Sequence, residues 1–290
     1  MPYFLGYRCT LCGAEYAPDE VTYVCPKHGD MGNLEVVLDI AALRRTTSPA
    51  AIAASPDPSI WRYLPLLPVA DPGFTGTPLR AVGGPPLLAA PRIAARLGLR
   101  RLWLKDDGRN PTASFKDRAS AVVVARALEI GAKTVVTAST GNAGAALAGM
   151  AAATGLPAVI LAPASAPQAK VAQLLIFGAK VILVNGNYDQ AFDLALAASR
   201  EFGWYCRSTG YNPFTVEGKK TAAYEICEQI SQLQTSKFKI QTPKWNGPDR
   251  IFVSVGDGNI ISGIHKGLKD LFALGWIETM PRLMGVQAEG

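Results

Sequence analysis

The sequence has few of the features that mark several common classes of protein. Five cysteines in 290 residues are too few for a small scaffold held together by disulfides. Charged residues make up only 18%, and the 29 basic side chains form no continuous block, so we expect no nucleic-acid partner. The first residues lack a basic segment followed by an apolar one, so we expect no signal peptide. The net charge of +6 favours small anionic ligands.

The longest stretch without a charged residue, 134–169, does not predict a membrane span. Glycine or proline interrupts it repeatedly, with Gly155 and Pro157 near its centre, and such breaks argue against a helix that crosses a bilayer. Short apolar segments between such breaks are typical of parallel strands buried on both faces. We therefore expect no association with a membrane.

Apolar segments and helical patterns alternate along most of the chain. Strands are predicted at 102–105, 134–138, 158–162, 181–185, 204–206, 251–255 and 283–287. Helices are predicted at 117–130, 143–153, 168–177, 188–202, 217–233 and 259–274. Most of these helices stop at a glycine, and repeated strand–helix units imply an α/β fold with a parallel sheet covered by helices on both faces. Residues 234–249 contain two prolines and are predicted to form an exposed loop.

Three segments place reactive or anion-binding groups at the start of a predicted helix. Lys116 lies in NPTASFKDR (110–118), where burial and the helix N-terminus would lower a lysine pKa and make it a nucleophile. From this segment alone, an ordinary surface lysine at the start of a helix is the more common case. STGNAG (139–144) and VGDGNIISG (255–263) each follow a strand, and their small residues let backbone N–H groups face an anion. The alternatives are an ordinary capped turn for the first and a dinucleotide-binding loop for the second.

Taken together, these motifs resemble the fold-type II pyridoxal-phosphate-dependent enzymes, in which SFKDR, STGN and GDGN recur in this order. The motifs GTPL (76–79), LKDD (104–107) and EGKKT (217–221) make the chain similar to the threonine synthase family in particular. The resemblance implies two α/β domains, each a parallel sheet between two helix layers, and a small N-terminal module that is like a zinc ribbon. The implied boundaries are 1–45 for the module, 46–114 plus 206–290 for the larger pyridoxal phosphate domain, and 115–205 for the inserted smaller domain.

In that family, the reaction converts O-phosphohomoserine and water into threonine and phosphate in threonine biosynthesis. The resemblance implies that Lys116 is the catalytic residue and holds pyridoxal phosphate as an aldimine. The other implied cofactor-binding residues are Asn142, Gly256, Asp257, Gly258, Asn259 and Ile260. The implied substrate-binding residues are Ser139, Thr140, Gly141, Asn212 and Thr215. The resemblance further implies a lyase that works as a cytoplasmic homodimer on a small amino-acid substrate.

The sequence departs from the family pattern where the substrate phosphate is bound. Ala143 replaces the usual hydroxyl residue, and Thr215 stands where the family usually has an arginine. Lys219 or Lys220 can replace that charge, because either can bind a phosphate. The departures keep other functions open: a serine or threonine ammonia-lyase, a cysteate synthase, or an inactive enzyme-like binding protein. Family members usually continue beyond the strand at 283–287, so we expect a truncated chain or an unusually short member.

Two close pairs of metal-ligating residues lie near the N-terminus. Cys9 and Cys12 are followed by Cys25 and His28, a spacing typical of a zinc knuckle. The sequence predicts a structural zinc bound by these four side chains, the alternative being a ribbon that keeps its turns without metal.

Overall fold

The computed structural model describes residues 3–235 and 244–289 of the chain. Its N-terminal part is an antiparallel sheet of strands β1 (Phe4–Cys9), β2 (Glu15–Tyr16) and β3 (Leu34–Leu38), in the order β2-β1-β3. Side chains in β3 alternate between buried and half-buried, as expected of a sheet with one covered face. That face packs against Phe214 through the rings of Phe4 and Tyr7, with centroid separations of 6.0 and 6.3 Å.

Tyr23, in the loop between β2 and β3, joins this module to the body of the protein. Its ring stacks on Tyr211, with centroids 4.7 Å apart, and its hydroxyl accepts a hydrogen bond of 2.8 Å from the backbone N–H of Cys206. The module is therefore packed against the body rather than tethered to it.

The next segment packs into the core although it is rich in proline and alanine. Helices α1 (Ile40–Thr46) and α2 (Pro49–Ala53) are capped by the side chains of Asp39 and Ser48. A 3₁₀ segment follows, in which Trp61 is buried and donates its indole N–H to the carbonyl of Leu79 at 2.9 Å.

A four-stranded parallel sheet forms the centre of residues 135–206. Its strands, in the order β8-β7-β6-β9, are β6 (Val135–Ala138), β7 (Ala158–Pro163), β8 (Lys180–Val184) and β9 (Tyr205–Cys206). The helices that connect them are α5 (Asn142–Ala152), α6 (Gln168–Ile176) and α7 (Tyr188–Phe202). Every residue of β6 and β7 is buried, so the predicted parallel strands are confirmed here. The sheet ends at Cys206, one residue beyond the predicted boundary at 205.

The resemblance implied a single parallel sheet for residues 46–114 plus 206–290. The described strands in these ranges form two separate pairs instead. Strands β4 (Leu87–Ala89) and β5 (Trp103–Lys105) form an antiparallel pair around α3 (Pro91–Arg96). Strands β10 (Arg250–Ser254) and β11 (Arg282–Val286) form a separate parallel pair joined by α9 (Asn259–Leu274). Ile251 and Val253 are buried whereas Phe252 is exposed, so the described residues cover only one face of this pair.

Two long helices cross at the centre of the molecule. They are α4 (Lys116–Glu129) and α8 (Phe214–Thr235). A Cβ atom on Gly218 would lie 2.0 Å from the backbone carbonyl oxygen of Arg118, so only glycine permits this close approach.

The predicted loop 234–249 is described only in part, because α8 runs to Thr235 and residues 236–243 lie outside the described part of the chain. Its last residues are not all exposed: Trp245 is buried and packs edge-on against Trp276 with ring centroids 5.1 Å apart. Over the described residues, we find no helix with the length and apolar character that a membrane crossing requires.

Candidate active site

Lys116 is the first residue of α4 and is half-buried. Its backbone N–H donates to the hydroxyl of Ser114 at 3.0 Å, and Ala113 just before it has a φ of 56°, a left-handed conformation that few residues other than glycine adopt. Burial lowers the pKa of the Lys116 amine, Asp257 opposes this change and Arg207 reinforces it. Near pH 7, the neutral and nucleophilic form is therefore more populated for Lys116 than for an exposed lysine.

A network of buried ion pairs fixes the start of α4. Arg118 is completely buried and donates to Asp107 at 2.6 Å and to both carboxylate oxygens of Glu225 at 2.7 Å. Lys105 forms a further ion pair of 2.6 Å with Glu225. Asp117 accepts hydrogen bonds from the backbone N–H and the hydroxyl of Thr112. These contacts hold the residues on either side of Lys116 in one conformation.

The glycine loop between β10 and α9 forms a turn with open space beside its backbone. Gly258 has a φ of 75°, and the backbone N–H of Asn259 donates to Asp257 at 3.0 Å. A Cβ atom on Gly256 or Gly258 would meet nothing within 4 Å, so there is open space next to this backbone. The first N–H groups of α9 have no carbonyl partner inside the helix and are suited to a phosphate.

The second predicted loop lies at the end of β6, where α5 begins. Ser139 is buried and accepts a hydrogen bond of 3.1 Å from the N–H of Gly141, while Asn142 is exposed at the first position of α5. Strand β9 is the neighbour of β6, and the hydroxyl oxygens of Thr137 and Ser208 lie 3.4 Å apart across the two strands. The loop and the residues after β9 are therefore at the same edge of the sheet.

Arg207, which the sequence analysis missed, follows β9 and is completely buried. Its guanidinium donates to Ser120, one turn beyond Lys116 on α4, at 3.2 Å and to Thr209 at 2.6 Å. Burial lowers its pKa to about 10, and Asp257 partly offsets this change. The only sequence signal was a charged residue at the end of a predicted buried strand.

Lys219 on α8 joins the same group of charges. It is completely buried and donates a hydrogen bond from its amine to the side-chain oxygen of Asn259, the first residue of α9. Burial and the nearby charges of Arg207 and Lys116 lower its pKa to about 6, against an opposing effect of Asp257. The structure thus brings Lys116, Asp257 and Asn259 together with two further basic side chains, Arg207 and Lys219.

The remaining predicted substrate residues have partners within the fold. Asn212 is buried, donates its amide to the carbonyl of Cys206 at 2.7 Å and accepts from the N–H of Phe214 at 2.9 Å. Thr215 donates its hydroxyl to the carbonyl of Asn212 at 2.8 Å. Lys220 forms ion pairs with Glu217 at 2.6 Å and Asp270 at 2.9 Å. Of the two lysines predicted to replace the family arginine, only Lys219 belongs to the charged group around Lys116.

The four predicted metal ligands converge in the N-terminal module. The ligand atoms of Cys9, Cys12, Cys25 and His28 all lie within 4.8 Å of one another. A Cβ atom on Gly32 would lie 2.7 Å from the Cβ of Cys25 and 2.9 Å from that of His28, so the backbone closes tightly behind these two side chains.

Comparison with known proteins identifies the family. Residues 79–290 match the family of pyridoxal-phosphate-dependent enzymes, which is more than half of the chain. The chain belongs to this family. Membership confirms the prediction that pyridoxal phosphate is the cofactor and agrees with a reactive lysine next to an anion-binding helix N-terminus.

The chain is similar to several threonine synthases. The threonine synthases of Methanosarcina acetivorans and Methanocaldococcus jannaschii are 39% and 37% identical to it over 284 residues. Each alignment covers 98% of this chain but only 64% and 65% of the relative. The chain therefore spans slightly less than two thirds of the length of these relatives.

Solved structures share the fold of this family member. Maize serine racemase superimposes with a TM-score of 0.58 at 24% identity, over 69% of this chain and 55% of that one. Threonine deaminase from Solanum lycopersicum superimposes with a TM-score of 0.57 at 23% identity, over 76% of this chain and 59% of that one. These similarities confirm the predicted α/β fold of the fold-type II enzymes.

Proposed function

We propose that the protein is a threonine synthase that converts O-phosphohomoserine and water into threonine and phosphate. The observation that carries the proposal is 39% identity to an archaeal threonine synthase over nearly the whole chain, with the predicted lysine at the start of α4 among phosphate-binding groups. This similarity favours a threonine synthase over an ammonia-lyase, a cysteate synthase or an inactive binding protein.

The residues present fit pyridoxal phosphate. Lys116 offers an amine whose pKa is lowered by burial, and the open space beside Gly256 and Gly258 lets a phosphate approach the backbone. When bound, pyridoxal phosphate supplies an electron sink that stabilises negative charge on the substrate Cα. Lys116 would hold the cofactor through its aldehyde and then carry protons at the Cα and Cβ atoms of the substrate.

The loops around Lys116 would bind and orient the two ligands. The N–H groups of residues 256–260 would bind the cofactor phosphate, and the amide of Asn142 would donate to the 3′-oxygen of its ring. Ser139, Thr140 and Gly141 would bind the substrate carboxylate at the N-terminus of α5. Asn212 and Thr215 would hold the backbone between β9 and α8, since their polar groups have partners there.

The first test is the absorption spectrum of the purified protein titrated with pyridoxal phosphate. We expect a visible band that borohydride fixes covalently on Lys116, as peptide mass mapping would show. Lys116→Ala should lack the band, whereas Lys170→Ala, at an exposed position of α6, should retain it. A band of equal strength in Lys116→Ala would contradict the assignment of the nucleophile.

The second test separates the candidate reactions. The loaded protein is incubated with O-phosphohomoserine, serine or threonine, and phosphate, threonine and ketoacid are measured. The proposal expects phosphate and threonine in equal amounts from O-phosphohomoserine. Ketoacid from serine without phosphate release would indicate an ammonia-lyase instead, and turnover of none of the three would reject the proposed reaction.

We also propose the domain division of the sequence analysis, with residues 115–205 inserted in the larger domain. The continuous parallel sheet of β6 to β9 supports an inserted unit. We further propose a cytoplasmic homodimer. Neither is tested by the fold: the cytoplasmic location and the homodimer both rest on the resemblance.

We propose in addition that Cys9, Cys12, Cys25 and His28 bind a structural zinc. Tetrahedral zinc with Zn–S bonds of about 2.3 Å has sulfur–sulfur edges of about 3.8 Å. Cys9 Sγ already lies 3.8 Å from Nδ1 of His28, so a contraction of about 1 Å from the largest separation of 4.8 Å completes the site. Four protein ligands close the coordination sphere, so the ion would support the fold rather than take part in catalysis.

Metal analysis of the purified protein tests the zinc site. We expect stoichiometric zinc in the wild type, loss of zinc in Cys12→Ser and retention of zinc in Cys227→Ala, because Cys227 is buried in α8 away from the cluster. Thiol titration under denaturing conditions provides the counter-test. A disulfide among the three N-terminal cysteines, with no metal, would refute the proposal.

A further inference from the structure

Lys219 is a buried lysine without a counter-ion. Its side chain is completely buried on α8, and its amine donates a hydrogen bond to the side-chain oxygen of Asn259. Among the described residues, no carboxylate lies within ion-pair distance of this amine, whereas the next residue, Lys220, pairs with Glu217 at 2.6 Å and with Asp270 at 2.9 Å. Buried lysines are usually paired as Lys220 is, so the position of Lys219 calls for a ligand.

The packing of α8 against α9 holds Lys219 at the loop 256–260. A Cβ atom on Gly263 would lie 2.5 Å from the Cβ of Lys219, so the two helices meet closely at this point. Asn259, which accepts the hydrogen bond from the lysine amine, lies one turn before Gly263 and is the first residue of α9. The amine therefore lies at the helix end to which the cofactor phosphate is assigned.

The same loop has a negative charge that opposes a phosphate. Asp257 is exposed, and its carboxylate accepts a hydrogen bond of 3.0 Å from the backbone N–H of Asn259. The carboxylate thus occupies one donor of this helix N-terminus and repels a phosphate bound beside it. A positive charge at the same turn would offset the repulsion, and Lys219 is a basic side chain in direct contact with the loop.

We propose that Lys219 binds the cofactor phosphate together with the backbone of residues 256–260. The inference depends on the phosphate position given under the proposed function, but not on the reaction that the enzyme catalyses. A glycine loop at a helix N-terminus binds phosphate through backbone N–H groups and the helix dipole. Lys219 adds a charge-assisted hydrogen bond from a second helix, so that α8 as well as α9 holds the cofactor.

The protonation state of Lys219 should change when the cofactor binds. Burial lowers the pKa of its amine to about 6, with Arg207 and Lys116 acting in the same direction and Asp257 in the opposite one. At pH 8 the amine is therefore mostly neutral in the free protein, which allows its burial without a counter-ion. A phosphate dianion beside it raises this pKa, so binding should transfer about one proton from the solvent to the amine.

Titration of the cofactor-free protein with pyridoxal phosphate and with pyridoxal at pH 8 tests the inference. Both compounds have the aldehyde that reacts with Lys116, but only the first has a phosphate. The second pKa of a phosphate monoester is about 6, so this group is already a dianion in solution at pH 8. Absorbance gives the two affinities, and calorimetry in two buffers with different ionisation enthalpies gives the number of protons taken up.

Lys219→Met should weaken pyridoxal phosphate binding by about 30-fold. This is the lower end of the effect of removing a buried partner of a charged ligand, because protonating the amine at pH 8 offsets part of its contribution. The affinity for pyridoxal should equal that of the wild type. The wild type should take up about one more proton with pyridoxal phosphate than with pyridoxal, and the variant should show no such difference. Lys170→Met, at an exposed position of α6, is the control and should match the wild type throughout.

Any of three outcomes would overturn the inference alone. The first is an unchanged affinity of Lys219→Met for pyridoxal phosphate, even if the wild type makes threonine. The second is an equal loss of affinity for pyridoxal phosphate and pyridoxal, which would show that Lys219 shapes the site without binding the phosphate. The third is an equal proton uptake with both ligands in the wild type, which decides the question even if the variant does not fold. A wild type that does not bind pyridoxal phosphate would reject this inference together with the proposed function.

Discussion

Replacing Arg118 with methionine should destabilise the protein by about 3 kcal/mol, at the lower end of the cost of breaking a buried ion pair. Arg118 is completely buried and donates three hydrogen bonds to carboxylates, one to Asp107 and two to Glu225, and a fourth to the hydroxyl of Thr221. Its removal leaves both carboxylates without their main partner. Lys105 and the N–H of Gly84 still contact Glu225, which is why we expect the lower end of the range.

The pKa of Glu225 responds to the same network. Burial alone would raise this pKa, but Arg118 and Lys105 outweigh burial and lower it from 4.5 to about 2. That difference corresponds to about 3 kcal/mol of stability. Because the folded pKa is the lower one, this contribution is complete above about pH 5 and is lost as the pH falls from there towards 2.

Urea unfolding followed by circular dichroism measures both effects. At pH 7, Arg118→Met should lose about 3 kcal/mol, whereas Arg200→Met should lose less than about 1 kcal/mol because its pair with Asp30 is exposed. Between pH 5 and pH 2.5, the wild type should lose more stability than Arg118→Met. A variant within 1 kcal/mol of the wild type, or one with the same acid dependence, would refute this account of the network.

Two further predictions concern close packing and the cofactor loop. Gly218→Ala places a methyl group 2.0 Å from the carbonyl oxygen of Arg118. We expect the free energy of unfolding in urea to fall by about 1–3 kcal/mol or more. An unchanged stability would contradict the close crossing of the two helices. Gly258→Ala meets no atom within 4 Å but requires a φ of 75°, so it should cost about 1–2 kcal/mol and weaken pyridoxal phosphate binding in an absorption titration. Gly98→Ala, with a φ of 64° at an open turn, is its control and should leave that binding unchanged.

Much of the fold could be predicted because its strands and helices are long or sharply bounded. The strands around Val136 and Ile160 are short apolar runs buried on both faces, and helices such as α7 stop at a glycine in the left-handed conformation. The three-residue strands β4 and β5 have no such pattern, and their antiparallel pairing depends on contacts between distant segments. Trp245 was misjudged because neighbouring prolines suggested a surface loop, whereas the burial of its ring decides its position.

The site could be predicted only where its residues form local motifs. Lys116 and the glycine loop each lie in a contiguous segment with a strand or helix on either side, so their chemistry can be inferred from spacing. Arg207 and Lys219 come together through the crossing of α4 with α8 and through the order of strands in the sheet. Neither the sheet order nor the burial of two cations is visible in their local sequence.

The position of Tyr23 has a consequence for self-association. Strand β9 lies at the edge of its sheet, and Tyr205 and Arg207 direct their N–H groups inwards to carbonyls of the neighbouring segment. The N–H of Cys206 points outwards, where another chain could otherwise add a strand, and the Tyr23 hydroxyl occupies it. The N-terminal module thus covers the edge of β9 and hinders edge-to-edge association. A chain that lacks the module would expose this short strand edge to other copies of itself.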